Sequence, residues 1–351
     1  MAVACVLLAA LAGGSAASAK DGSRGSESRG LDRFWRDVWQ AIELAVGERG
    51  RRPPVPVPVT WRERRIASVD LGGLLLALAA ADLDRDGRAE LAALTTEWVI
   101  LLAPAGKSMR EVGRAALPGD PPTIRPRDPV GTLVVDARGA EIELLARSSE
   151  RAEGVALAWQ GGGLREVRRL AGFPLCPGVT AELVPGRNYF DSATVTRDER
   201  APAEFDPPAL FYSAVCRTDL RDPAGRPLWA TAVVDIERAA HLGCRASKGP
   251  CPEGPAQGGE VPGVGVALEL ADIDNDGSPE LITTRGSAPG DRDRVTVHAR
   301  QAGHVSRVFS KEFHAGIVGV AAGDLDGDGD RDLVVAVRFV GSHHVSFWTL
   351  N

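Results

Sequence analysis

Three acidic segments at one spacing constrain this chain more than any other feature. Asp82, Asp84, Asp86 and Glu90 stand at relative positions one, three, five and nine, and Asp272, Asp274, Asp276 and Glu280 repeat that spacing. Asp324, Asp326, Asp328 and Asp332 form a third copy. Each copy has glycine at position six (Gly87, Gly277, Gly329), an apolar residue at position two (Leu83, Ile273, Leu325) and leucine at position ten (Leu91, Leu281, Leu333). The flanks of the third copy, "GIVGVAAG" and "DLVVAVRFV", are rich in β-branched residues, which favours strands over helices on both sides. The last two copies lie 52 residues apart, a period that marks an array of supersecondary units. A step of 53 residues from Glu90 reaches Glu143 in "VVDARGAEIELLA", where the strands persist and the acidic ladder is gone. "WRERRIA" from Trp61, "MREVGRAA" from Met109 and "LREVRRLA" from Leu164 read as one outer strand seen three times.

Four strands in about 50 residues make a β-propeller blade. The expected fold is therefore all-β, a propeller of about five or six four-stranded blades, preceded by one N-terminal helix. Residues 172–262 hold either one blade with a long insertion around "NYFDSATVTRDERAPAEFDPP" or two poorly marked blades. Counting strands gives five blades in all and dividing length by period gives six; the reading adopted is five. "TWRERRIASV", residues 60–69, matches the outer strands yet precedes the first blade, whereas the last blade lacks an outer strand. An unpaired blade edge invites aggregation, so residues 60–69 are expected to pair beside residues 343–350 and close the ring.

Oxygens from alternate residues of a tight turn converge on one point, and like charges so gathered need a cation between them. Calcium suits such a loop because it takes six to eight oxygen ligands in irregular geometry. Glycine allows the sharp turn at position six. Arg88, Ser278 and Asp330, at position seven, would each give a backbone carbonyl, and the acid at position nine closes the shell. An EF-hand would need its bidentate acid at position twelve, where Ala93, Thr283 and Val335 stand. Three Ca²⁺ would add six positive charges to a formal net charge of −6. With these residues in view, "VAAGDLDGDGDRDLVVA" and "LADIDNDGSPELITT" resemble FG-GAP or VCBS repeats, the calcium-loop blades of integrin α-subunit propellers and many bacterial surface proteins. The resemblance covers residues 61–351 and is specific at 72–95 and 262–351. It implies three structural Ca²⁺ sites on the residues named above. The Phe-Gly and Gly-Ala-Pro signatures of that family are mostly absent, and residues 117–262 carry no intact calcium loop.

Residues 1–19, "MAVACVLLAALAGGSAASA", have the apolar stretch and small-residue cleavage site of a signal peptide, so export to the periplasm, cell surface or medium is expected. That stretch is too short for a membrane span, and the acidic net charge offers no footprint for nucleic acid. Residues 20–60 read as a polar disordered segment, an amphipathic helix carrying Leu31, Phe34, Trp35, Val38, Trp39, Ile42 and Val46 on one face, and a Pro-rich linker; residues 61–351 are the propeller. Four cysteines follow the signal. Cys244 and Cys251 enclose a short loop and are expected to pair, leaving Cys176 with Cys216, since no pair has CxxC spacing.

Catalytic patterns are weak. The six histidines have no metal-ligand spacing, and no GxSxG elbow occurs. The metal therefore reads as a staple, and the chain as a monomeric, exported, non-enzymatic module that binds a protein or glycan. Its recognition surface would lie at Tyr189, Phe190, Phe205, Phe211 and Tyr212, unless these rings pack beneath the insertion. The alternative is a hydrolase or lyase working in the propeller funnel, with acids and arginine from the 172–262 region, the acids being such as Asp191, Glu204 and Asp206.

Overall fold

The computed structural model describes residues 63–138, 141–202, 205–221, 227–246, 260–275, 278–286, 292–301, 304–339 and 342–350. The expected signal peptide, N-terminal helix and Pro-rich linker lie outside the described residues. Among the latter every element is a strand, apart from one 3-10 turn at Ser192–Thr194. The strands form six antiparallel sheets, the blades of a six-bladed propeller.

The first strand, β1 (Glu63–Asp70), belongs to the last blade. Blade one comprises β2 (Leu75–Ala81), β3 (Glu90–Thr95), β4 (Trp98–Ala105) and β5 (Ser108–Ala116), paired in that order. Blade two repeats it with β6 (Gly131–Arg138), β7 (Glu141–Ser148), β8 (Gly154–Gln160) and β9 (Gly163–Leu170). Blade three is small, with β10 (Phe173–Cys176), β11 (Val179–Ala181) and β13 (Thr196–Arg197). Blade four has five strands, β12 (Phe190–Asp191), β14 (Leu210–Arg221), β15 (Pro227–Asp235), β16 (Ala239–Ala246) and β17 (Glu260–Pro262). Blade five holds β18 (Leu268–Ala271), β19 (Glu280–Thr284), β20 (Asp293–Gln301) and β21 (His304–Phe313). Blade six is β22 (Gly316–Gly323), β23 (Asp332–Arg338) and β24 (His344–Leu350), completed by β1.

The count corrects the expected five. Residues 172–262 carry two blades, and blade three escaped strand counting because its strands are four, three and two residues long. The expected insertion is shared between them, since β12 pairs with β14 in blade four while β13 pairs with β11 in blade three.

Burial follows from the stacking of blades face to face. A second strand is covered on both faces, so β3 and β23 are buried throughout and read as continuous apolar runs, whereas β5 alternates between exposed and half-buried. The apolar clusters lie between consecutive blades. Leu94, Val99 and Leu101 of blade one meet Leu144 and Leu157 of blade two, and Leu78, Leu91 and Ile100 meet Val334, Val345 and Phe347 of blade six. Innermost strands contact one another in sequence, β2–β6–β10–β14–β18–β22 and back to β2. Gly131 makes part of that approach possible, since a Cβ there would lie 2.6 Å from the Leu76 Cβ. Cys176 on β10 is bonded to Cys216 on β14, which ties the inner strands of blades three and four. Cys244 is also disulfide-bonded; its expected partner, Cys251, lies outside the described residues.

The ring closes as expected. β1 runs antiparallel to β24 from Glu63 opposite Leu350 to Asp70 opposite His344, with one register shift between Arg65 and Ala67. Ile66, at that shift, is buried.

Two consequences follow for stability. Deleting residues 1–71 should yield aggregated or unfolded protein by size exclusion and circular dichroism, whereas deleting residues 1–53 should leave the melting transition nearly in place. Cys216→Ala opens a loop of sequence separation 40, which should cost about 4 kcal/mol by the chain-entropy relation; chemical denaturation under non-reducing conditions measures it.

Candidate functional site

The three acidic segments occupy the same place in blades one, five and six, between the innermost strand and its neighbour. Asp82, Asp84 and Asp86 each bring a carboxylate oxygen within 4.8 Å of the others, as do Asp324, Asp326 and Asp328, and Asp272, Asp274 and Glu280. Asp276 lies outside the described residues.

In the loops of blades one and six, backbone amides hold each carboxylate in place. The position-six N–H donates to the first aspartate, Gly87 to Asp82 at 3.1 Å and Gly329 to Asp324 at 2.9 Å. Asp84 and Asp86 each accept from the amide two residues on, and Asp326 and Asp328 do the same. The position-nine acid accepts from the position-two N–H in all three loops: Glu90 from Leu83 at 2.9 Å, Glu280 from Ile273 at 2.9 Å, and Asp332 from Leu325 at 3.1 Å. These hydrogen bonds explain why a buried acid always stands seven residues beyond an apolar position two.

One requirement escaped sequence reasoning. Position four is left-handed in every loop, with φ of 64° at Arg85, 57° at Asn275 and 83° at Gly327. Asn and Gly at that position were the available signal, because both enter that region more readily than other residues.

Charge accumulates where water is scarce. Burial pushes Glu90 up to about 7, and repulsion from Asp84, Asp86 and Asp82 adds to it against the Leu83 N–H. Burial likewise raises Asp332 to about 6, with Asp326, Asp328 and Asp324 adding repulsion. Oδ1 of Asp82 is buried with no hydrogen-bond partner among the described residues. Arg88 and Asp330, at position seven, are exposed, and Ser278 is half-buried.

The innermost strands enclose an axial cavity of about 460 Å³. Its wall is largely apolar, with Leu76, Leu133, Leu175, Val215, Leu268 and Val320 from six different blades. Two acidic loops reach the cavity through Asp82, Gly87, Asp324, Gly329 and Arg331. Within the wall, Arg217 of β14 donates to Glu269 of β18 at 3.4 Å, and the same Glu269 oxygen accepts the Leu270 N–H at 2.9 Å. The Thr132 and Ser213 hydroxyls, on wall residues of blades two and four, are buried without hydrogen-bond partners among the described residues.

The acids expected to serve a funnel site are not there. Asp191 accepts from Ala193 at 2.9 Å and caps the 3-10 turn, Asp206 is exposed, and neither lines the cavity; Glu204 lies outside the described residues. Arg217 and Glu269 were missed because the pair forms only when β14 and β18 of separate blades are brought together. The expected recognition surface also fails. Phe190, Phe205 and Phe211 are buried to within 1% and pack beneath the insertion with Phe173 and Val179, while Tyr189 and Tyr212 are half-buried edge to face at 6.2 Å.

No protein-family model matches the chain, and no curated protein does. Among solved structures, it is similar to the PQQ-bound aldose sugar dehydrogenase of Streptomyces coelicolor, with a TM-score of 0.45 and 11% identity over 84% of this chain and 99% of that one. It is also similar to the Penicillium chrysogenum α-L-arabinanase complexed with arabinobiose, with a TM-score of 0.42 and 14% identity over 83% of this chain and 98% of that one. Both similar structures are of enzymes. With the aromatic surface buried, the expectation of a non-enzymatic module that binds a protein or glycan through those rings does not stand. No helix among the described residues is long and apolar enough to cross a membrane.

A carboxyl whose pKa rises on folding binds more protons folded than unfolded between its two pKa values, so stability falls as pH climbs through that window. In chelator, the melting temperature should therefore drop between about pH 4.5 and pH 7, the interval of the Glu90 shift. Glu90→Gln should flatten that drop and raise the metal-free melting temperature at pH 7, as read by calorimetry.

Proposed function

We propose that this chain is an exported propeller enzyme, a hydrolase or lyase, whose site is the axial cavity and whose scaffold is held by three structural Ca²⁺. The observation that carries the reading is the Arg217–Glu269 pair set in the cavity wall. An ion pair across two blades is costly to desolvate, and packed aliphatic residues would serve stability as well. With both side chains largely buried, each charge acts on a bound substrate with more force than in solution. Glu269 is placed to move a proton, and Arg217 to hold it in line and face negative charge that develops on the substrate.

Apart from the loop acids Asp82 and Asp324, Glu269 is the cavity's only carboxylate among the described residues. Among the described residues, two-carboxylate glycoside hydrolysis has no second partner there outside the acidic loops. The arrangement fits a step that moves one proton and stabilises one anion, as in elimination or acyl hydrolysis.

Calcium fits the residues present. Asp82 Oδ1 is a buried carboxylate oxygen left without a donor, which a cation in the loop would satisfy. The sets are Asp82, Asp84, Asp86, the Arg88 carbonyl and Glu90; Asp272, Asp274, Asp276, the Ser278 carbonyl and Glu280; and Asp324, Asp326, Asp328, the Asp330 carbonyl and Asp332. The ion would supply charge compensation and a fixed turn. The resemblance to FG-GAP and VCBS repeats supports the same reading, and the disulfides support an oxidising compartment after export.

Two experiments test these points. On a panel of acyl esters and of acidic glycans whose elimination products absorb in the ultraviolet, Glu269→Gln should lower kcat/KM by about 10²- to 10⁴-fold with the melting temperature retained. Turnover unchanged in Glu269→Gln, or none on the panel, would reject the cavity as the site. For the metal, a hundredfold excess of calcium over its Kd should add about 2.7 kcal/mol per site, and Asp328→Ala should remove one bound ion by elemental analysis.

A further inference from the structure

We propose that the three acidic loops bind calcium as one coupled unit across the seam of the ring, with Asn275 the positioning residue that links blade five to blade six. The inference rests on the calcium reading above and goes beyond it, because nothing in a single loop requires the loops to communicate.

Blade six carries the argument. Its loop is bracketed by blades five and one, and each neighbour grips a different end. Asn275 Nδ2, from position four of the blade-five loop, donates to Asp330 Oδ1 at 2.9 Å. Asp330 stands at position seven, whose backbone carbonyl would be a ligand. On the other side, the Ala89 N–H of the blade-one loop donates to the carbonyl of Asp324 at 2.6 Å, and Asp324 supplies the first carboxylate of the blade-six loop. The Arg88 side chain also lies against Gly327, where a Cβ would come within 3.1 Å of its Nε. The first and seventh positions of one loop are thus fixed by its two neighbours.

The coupling follows from what a cation must order. Asn275 holds a left-handed backbone, φ 57°, within the turn that its own loop's ion would fix. An ion in blade five would therefore hold the Asn275 amide in place for Asp330, and an ion in blade one would hold the Ala89 N–H in place for Asp324. Either event pre-orders ligands in blade six, so the next ion pays less ordering entropy and binds more tightly. By reciprocity, an ion in blade six strengthens binding in its neighbours by the same factor. The Asn275 side chain is not itself among the ligands, which separates positioning from coordination.

Isothermal titration of the full chain with calcium chloride tests this. Asn275→Gly keeps the left-handed turn and removes only the amide, and it should weaken one site by about fivefold or more, the scale of an allosteric coupling. Asp330→Ala should weaken the same site equally, and the double variant no further than either single one, as partners in one interaction require. In an Asp328→Ala background, where the blade-six site is disabled, Asn275→Gly should have no effect. Three ions bound with affinities unchanged by Asn275→Gly would overturn the coupling and leave the calcium reading standing, as would an effect that persists in the Asp328→Ala background. A wild-type chain that takes up no calcium would overturn both.

Discussion

A ring of blades must be joined somewhere, and this ring is joined by pairing the two ends of the propeller. β1 and β24 are separated by nearly the whole domain in sequence, yet lie side by side from Glu63 and Leu350 to Asp70 and His344. Until they meet, β24 has a free edge. Pairing so distant in sequence is entropically late and kinetically slow. The other special features of the chain are distributed in relation to that seam. The acidic loops sit in blades five, six and one, the blades at and beside it, while the Cys176–Cys216 bond ties blades three and four on the opposite arc.

That distribution has a physical logic. Blade three is built from short strands and lacks an acidic loop, so its packing is supplemented by a covalent bond and by the rings of Phe173, Phe190 and Phe211. At the seam there is no such bond. There the loops bring acids together at a cost visible in the raised pKa values of Glu90 and Asp332, which a bound cation would relieve. On the proposed calcium reading, such loops would make closure of the ring responsive to its surroundings. The cavity would share this sensitivity, because Asp82 and Asp324 line it as well as belonging to the loops.

Much of this was legible in the sequence. Loop spacing, the fifty-residue period and the unattached strand at residues 60–69 led to a propeller and to the position of its closure, because each depends on local pattern or on counting strands. The sixth blade was not legible: β11 and β13 carry too few residues to show alternation, and β12 and β13 divide between two sheets a segment that reads as one insertion. The cavity pair Arg217–Glu269 was invisible for a different reason. Its members are unremarkable in their own strands and become partners only through the packing of blade four on blade five. Asp191, by contrast, looked available in sequence and is engaged in capping a turn.

The central claim is that calcium secures the seam. Hydrogen–deuterium exchange of the full chain, with calcium and with chelator, tests it most directly. Calcium should slow amide exchange in β1, β22, β23 and β24 and in the acidic loops of blades five, six and one, with a much smaller change in blades two and three. Equal protection in all blades, or no change anywhere on adding calcium, would contradict the account.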